Sequence, residues 1–234
     1  MIIPKQHGAW VMLVVPFLAG MFISNVSWLH IPLFIGWFFI YLGTYCFLEA
    51  LKRSKKKRYI MWGIRYYSIV LASLAVVIVS HLELLWLGVA VVPLFLINIY
   101  YAKQKNERAF LNDLSAIIIF SLGGSASYLV GGGGYNSEML LMNVSMVLFF
   151  TGSVFFVKTF VREKKNPRFK QVSYSYHIGV LVCTSFLTPL FLIAYLPSAI
   201  RSAVFSKKSL TPKQLGIIEF VNVSYFLLFI IYIF

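Results

Sequence analysis

Long apolar stretches alternate with short polar ones along the whole chain, and the pattern predicts a set of membrane-crossing helices. About 20 residues of helix cross the hydrocarbon core. Blocks of roughly that length fall near residues 9–25, 31–51, 66–81, 84–102, 113–131, 139–158, 176–196 and 214–234. Each must be helical, because lipid cannot satisfy open backbone groups. The expected fold is all-α: a polytopic transmembrane helical bundle of about 8 spans (7–9), as one integral membrane domain over residues 1–234. No small-x-small cleavage site stands out after the first block, which therefore reads as a retained helix and not a removed signal peptide.

Charge orients these spans. All 21 Lys and Arg residues fall in five clusters between blocks. Lys5 stands alone. Lys52, Arg53 and Lys55 to Arg58 follow, with Arg65 close behind. Then come Lys103, Lys105 and Arg108, next Lys158 to Lys170, and last Arg201, Lys207, Lys208 and Lys213. The gaps near 23–30, 80–84 and 131–138 hold no basic residue. Cytoplasmic loops are enriched in Lys and Arg, so the N-terminus and the loops at 52–65, 103–112 and 159–175 are expected in the cytoplasm and the protein in the cell membrane. The last cluster does not fit, since eight plain spans place it outside. Either a late loop departs from a statistical rule, or the crossing within 176–206 is broken at Pro189 or Pro197; the plain departure is the expectation adopted.

Composition agrees with the bilayer as solvent. The chain is 60% hydrophobic and 12% charged, about half the charge of a soluble domain. The net charge of +14 does not point to nucleic acid, because the cations form collars beside apolar blocks and not one polar face. Two cysteines, Cys46 and Cys183, lie inside apolar blocks and form neither a disulfide framework nor a CxxC site. The Gly131–Gly134 run has no accompanying Lys and reads as a turn, not a phosphate loop.

A weak internal repeat runs at an offset of 109 residues: Phe47, Arg53, Lys55-Lys56 and Tyr67 align with Phe156, Arg162, Lys164-Lys165 and Tyr176. The offset spans four helices, so both copies face one side, as in parallel-repeat membrane proteins.

Ionisable groups in spans are costly and usually have a partner or a task. Glu49 closes the second span; it is neutralised by Lys52 or Arg53 on its own helix, or it faces its repeat mate Lys158. The stretch from Lys105 to Asp113 is the densest polar motif: Glu107, Arg108, Asn112 and Asp113 supply acceptors and donors for a cation or diphosphate, or else Asn112 or Asp113 caps the fifth span. His7 and His177 lie at the basic side, too sparse for a metal or haem site. Thr211-Pro212 reads as the cap and first residue of the last helix, and Glu219, two turns on, requires a partner such as Arg201 or Lys213.

The opening Pro4-Lys5-Gln6-His7-Gly8-Ala9-Trp10, the Glu107-Arg108 and Asn112-Asp113 pairs, and Pro212-Lys213 with Gly216 and Glu219 together resemble the YwiC-like family of bacterial membrane proteins. That resemblance implies an integral protein of the bacterial cytoplasmic membrane. More distantly, the four-helix offset and the polar loops after the second and sixth spans resemble the UbiA-type intramembrane prenyltransferases. This second resemblance implies a UbiA-like bundle and a prenyl diphosphate held through Mg²⁺ by Asp-rich motifs in those two loops. Here the first loop has Glu49 and a basic run without Asn-Asp-x-x-Asp, and the second has Glu163 alone.

The reading these observations favour is a cytoplasmic-side polar and basic cavity that recognises an anionic isoprenoid or lipid-like substrate, in the manner of a prenyltransferase. The candidate residues are His7, Glu49, Arg65, Glu107, Arg108, Asn112, Asp113, Lys158, Arg162 and His177, with Arg65 and Arg162 gripping phosphate and Glu107 and Asp113 holding a cation or the acceptor. The rival is a non-enzymatic small-anion transporter or membrane assembly factor. The lipid bilayer is the expected partner in either case; the cofactor stays open, since without the Asp-rich motifs either Mg²⁺ or the basic residues directly would hold a diphosphate.

Overall fold

The computed structural model describes residues 1–4, 7–52, 56–205 and 208–234, and the His7 side chain lies outside that description. The described residues are helical with no strand. In chain order the helices are α1 (His7–Ile23), α2 (His30–Lys52), α3 (Lys57–Ser80), α4 (Leu84–Lys103), α5 (Phe110–Val130), α6 (Ser137–Val161), α7 (Pro167–Ser185), α8 (Pro189–Phe205) and α9 (Pro212–Ile233). Six of them, α2 to α6 and α9, are long and apolar enough to cross a membrane, and α1 and α8 are shorter apolar helices. Large apolar side chains face outward: Val79 is 83% exposed, Trp86 73% and Phe186 84%. Such a surface is stable only in lipid, and the chain is a membrane-embedded helical protein.

The expected single span over 176–196 is two helices. The chain breaks at residues 186–188, where the Leu190 amide donates to Thr188 Oγ1 at 3.1 Å and Pro189 takes the first helical position of α8. Thr-Pro is the same start signal that opens α9, where Thr211 and Gln214 form a capping box ahead of Pro212. With three residues between them and packed against each other, α7 and α8 form an antiparallel hairpin. The break raised as the alternative at Pro189 is present.

Two smaller differences have simple causes. Helix α3 starts at Lys57, nine residues before the expected edge, because Lys57, Arg58 and Arg65 are good helix formers, no Pro interrupts them, and the one glycine, Gly63, is tolerated within the helix. The N-cap of α5 is Ala109, so Asn112 and Asp113 lie within its first turn and neither is the cap. Asp113 still complements the helix dipole there. The junctions recur at nearly the expected repeat offset: α2 ends at Lys52 and α6 at Val161, and α3 starts at Lys57 and α7 at Pro167.

The chain divides into two compact units, Met1–Asn143 and Val144–Phe234. In the first, α2 packs on α3, and α5 packs on α1 and α4. The α1–α5 contact is backbone to backbone. A Cβ on Gly20 would collide with the Gly124 carbonyl oxygen, and one on Gly124 would sit 2.6 Å from the Pro16 carbonyl oxygen. Small residues permit this close approach, which replaces the hydrophobic effect as a packing force in lipid. After α5 the chain turns at Gly132, whose φ of +88° favours glycine.

In the second unit, α8 packs between α7 and α9. The C-terminal part of α6 joins them through Phe149, stacked on Phe226 at 3.9 Å, and through its carbonyls: Tyr176 donates to Leu148 at 2.9 Å and Tyr195 to Ser145 at 2.8 Å.

Candidate functional site

Among the described residues, each unit contains a cluster of polar side chains around a largely buried basic residue. In the first unit it forms where α2 ends and the α4–α5 connection passes. Lys52, in the last turn of α2, makes ion pairs with Glu49 on its own helix and with Glu107 on the connection. The i,i+3 spacing brings Glu49 under Lys52. Glu107 is held from behind, because the Asn112 side-chain amide donates to its carbonyl at 2.7 Å. Asn98 of α4 in turn donates to Asn112 Oδ1 at 2.9 Å and to Ser115 Oγ at 2.7 Å. Three of the expected residues, Glu49, Glu107 and Asn112, thus come together, with Lys52, Asn98 and Ser115 added.

Three further candidates of this unit are Arg65, Arg108 and Asp113. Arg108 is exposed and Asp113 half-buried. Arg65 is exposed, with its guanidinium 5.0 Å from the centre of the Trp62 ring. Such a cation–π contact at an exposed site contributes about 0.5–1 kcal/mol.

The second unit's cluster is the more deeply enclosed. Arg201 of α8 is 4% exposed. It pairs with Glu219 of α9, donates from Nη2 to Ser153 Oγ of α6 at 3.1 Å, and lies over the Phe156 ring at 4.5 Å. Its Nε is buried without a hydrogen-bond partner. His177 of α7, also 4% exposed, donates from Nδ1 to the Ser173 carbonyl at 2.7 Å, while its Nε2 is buried and unbonded. Neighbouring residues of α6 serve the two: Gly152 leaves room at His177 Nε2, where a Cβ would stand 3.2 Å away, and Ser153 meets Arg201. Asn222 of α9 and Ser198 of α8 add a hydrogen bond at 3.0 Å one turn from the pair.

Depth follows from helix geometry. At a 1.5 Å rise, Ser153, His177, Arg201 and Glu219 lie about 12, 15, 6 and 10 Å along their helices from one common end of the unit. That end carries the basic residues of 158–170 and 201–213. Lys158 is half-buried and Arg162 exposed at the end of α6. Of the expected residues only His177 belongs to this inner cluster.

A buried ion pair is costly to desolvate, and a membrane interior gives it no water to relax into. Around the guanidinium stand the Glu219 carboxylate, the Ser153 hydroxyl and the Phe156 ring face. Among the described residues no group of three or more His, Cys, Asp or Glu side chains could hold a metal ion. The Mg²⁺ implied by the prenyltransferase resemblance does not fit the loops named for it. After α2, both nearby carboxylates are engaged by the Lys52 ammonium. After α6, Glu163 is a lone carboxylate that accepts from Asn166 at 2.9 Å.

The need of Glu219 for a basic partner was legible by charge, with Arg201 and Lys213 both open; Arg201 falls with the loop collar when 176–196 is taken as one plain span. The break puts Arg201 inside a helix and not in a loop.

Comparison with known proteins places both clusters in a shared frame. The family model for YwiC-like protein matches residues 3–128, which include the Lys52 cluster. The Bacillus subtilis protein named "Uncharacterized protein YwiC" is 41% identical over 232 residues, covering 97% of this chain and 95% of its own. A Haemophilus influenzae protein named "Uncharacterized protein" is 33% identical over 232 residues, covering 99% and 98%. These two span the Arg201 cluster as well. No solved structure matches the chain. By the family model and by full-length identity, the chain belongs to the YwiC-like family.

Proposed function

We propose that this membrane protein binds an anionic, lipid-like molecule of the isoprenoid phosphate class from the basic side of the cell membrane, with Arg201 as the anchor for its headgroup. The observation that carries the reading is a guanidinium enclosed about one turn inside a membrane-embedded helical unit, with Nε unbonded. A long apolar tail belongs in lipid, and a phosphate belongs on Arg, whose fork matches its oxygens. Ser153 supplies a further hydroxyl beside it, and Glu219 balances its charge until the ligand arrives. With α7 and α8 as a hairpin, the charge rule assigns all five basic clusters to one side, the cytoplasm, along with the N-terminus. The collars then raise the local concentration of anionic headgroups.

The test is competition binding on the protein in neutral-lipid nanodiscs, with farnesyl diphosphate, farnesol and inorganic diphosphate as probes. Farnesyl diphosphate is expected to bind at least tenfold more tightly than either fragment, because tail and headgroup both contribute. Equal binding of farnesol would remove the headgroup, and with it Arg201, from the account.

A small-anion transporter is the second reading. The depth of the Arg201–Glu219 pair favours it, since exchangeable ion pairs inside a membrane mark ion pathways. Flux of inorganic phosphate in proteoliposomes, absent on Arg201→Gln, would select it over the first.

A further inference from the structure

We infer that Lys52 is the resident cation of the Glu49–Glu107 site, a tethered ammonium standing where a divalent metal would otherwise bridge the two carboxylates. Glu49 is 8% exposed, and Glu107 reaches the same point from the α4–α5 connection. Two carboxylates converging at a membrane edge repel each other and require a cation between them. A divalent ion bound through one or two carboxylates is a common solution. Here the Lys52 Nζ contacts Oε1 of both.

The surroundings are built to hold this arrangement. The side chain of Lys52 is only 15% exposed, so its charge is committed to the site and not to solvent. Asn112 fixes the backbone of Glu107 at 2.7 Å, and Asn98 fixes Asn112 at 2.9 Å. Asn98 and Asn112 are neutral, so the groups that hold Glu107 in place add no further anion. A metal would have to expel Lys52 into the apolar edge of the membrane or accept a cation at contact distance.

Two consequences follow. The joint between α2 and the α4–α5 connection does not depend on metal, and an anion bound near it is not held through a metal bridge at these carboxylates. The inference is independent of the Arg201 reading, which concerns the other unit.

The experiment is a Mn²⁺ titration read by electron paramagnetic resonance, on purified protein in neutral detergent with no lipid phosphate added. Wild type is expected to show no saturable Mn²⁺ site, and its melting temperature to be the same in chelator and in excess Mg²⁺. Lys52→Met is expected to gain one saturable site per chain, lost again in Lys52→Met/Glu107→Gln. A folded Lys52→Met that gains no site would overturn the inference. Saturable Mn²⁺ binding by wild type that disappears in Glu107→Gln would overturn it too, and this second comparison decides the matter if Lys52→Met does not fold.

Discussion

Arg201 of α8 and Glu219 of α9 form an ion pair in the interior of a helical unit whose outer surface is apolar. The pair is held on its remaining sides by Ser153 and the Phe156 ring of α6. Its energetics are those of a buried pair, in which the partners are worth less together than either costs alone.

That asymmetry sets the first prediction. Arg201→Met and Glu219→Leu are each expected to destabilise the protein by about 3–5 kcal/mol, since each strands an unpaired buried charge. The double variant is expected to be closer to wild type than either single one. Thermal melting of the four proteins in one detergent checks this, and additive losses in the double variant would show that the pair is not coupled.

The α7–α8 hairpin predicts a sidedness. With Cys46 and Cys183 replaced, single cysteines at Lys164 and Ser209 are expected to react with an impermeant maleimide from the same face of the membrane. Labelling from opposite faces would mean that the segment 167–205 crosses only once.

The α1–α5 seam tolerates no side chain. Gly124→Ala would place its Cβ 2.6 Å from the Pro16 carbonyl oxygen, so the two helices must separate. A loss of about 1–3 kcal/mol is expected from such overpacking, read as a lower melting temperature. Gly88→Ala is the control, because a Cβ there meets nothing within 4 Å.

Between α3 and α4, Glu83 shows a pH effect of known sign. A hydrogen bond from its own backbone, and then one from His81 at 2.8 Å, hold its carboxyl below the usual carboxylate range. A depressed pKa contributes stability above the unfolded value of about 4.3, and that contribution is lost as pH falls through the lower folded value. Because the side chain is 40% exposed, the effect is limited to a few tenths of a kcal/mol. Glu83→Gln is expected to melt slightly below wild type at pH 6 and together with it once both are acidified past the transition. A gap that widened on acidification would contradict this.

The sequence pattern revealed seven of the eight expected spans as single helices, because apolar blocks bounded by charge read the same way in lipid as in a hydropathy profile. The eighth failed for a definite reason. Residues 176–196 are mostly apolar and carry no Lys, Arg, Asp or Glu, and hydropathy is blind to a three-residue turn within such a run. Thr188-Pro189 at the turn is the same start signal as Thr211-Pro212, which opens α9. Once the turn is placed, Arg201 moves from a loop into the interior. The Lys52 cluster was half legible: Glu49 and Lys52 are one turn apart on one helix, so their pairing follows from spacing. The arrival of Glu107 does not, since it depends on how α4 and α5 pack against each other through Asn98 and Asn112.

The measurement closest to the central claim compares farnesyl diphosphate binding to wild type, Arg201→Gln and Glu219→Gln in nanodiscs of neutral lipid. A charge-assisted hydrogen bond contributes about 1.5–3 kcal/mol, so Arg201→Gln is expected to weaken binding by roughly 10- to 100-fold. Glu219→Gln is expected to strengthen it, because the internal anion that competes for Arg201 loses its charge. Opposite signs for the two variants are what an anion anchor held by a displaceable carboxylate requires. Unchanged affinity in Arg201→Gln, with both variants folded, would contradict the account.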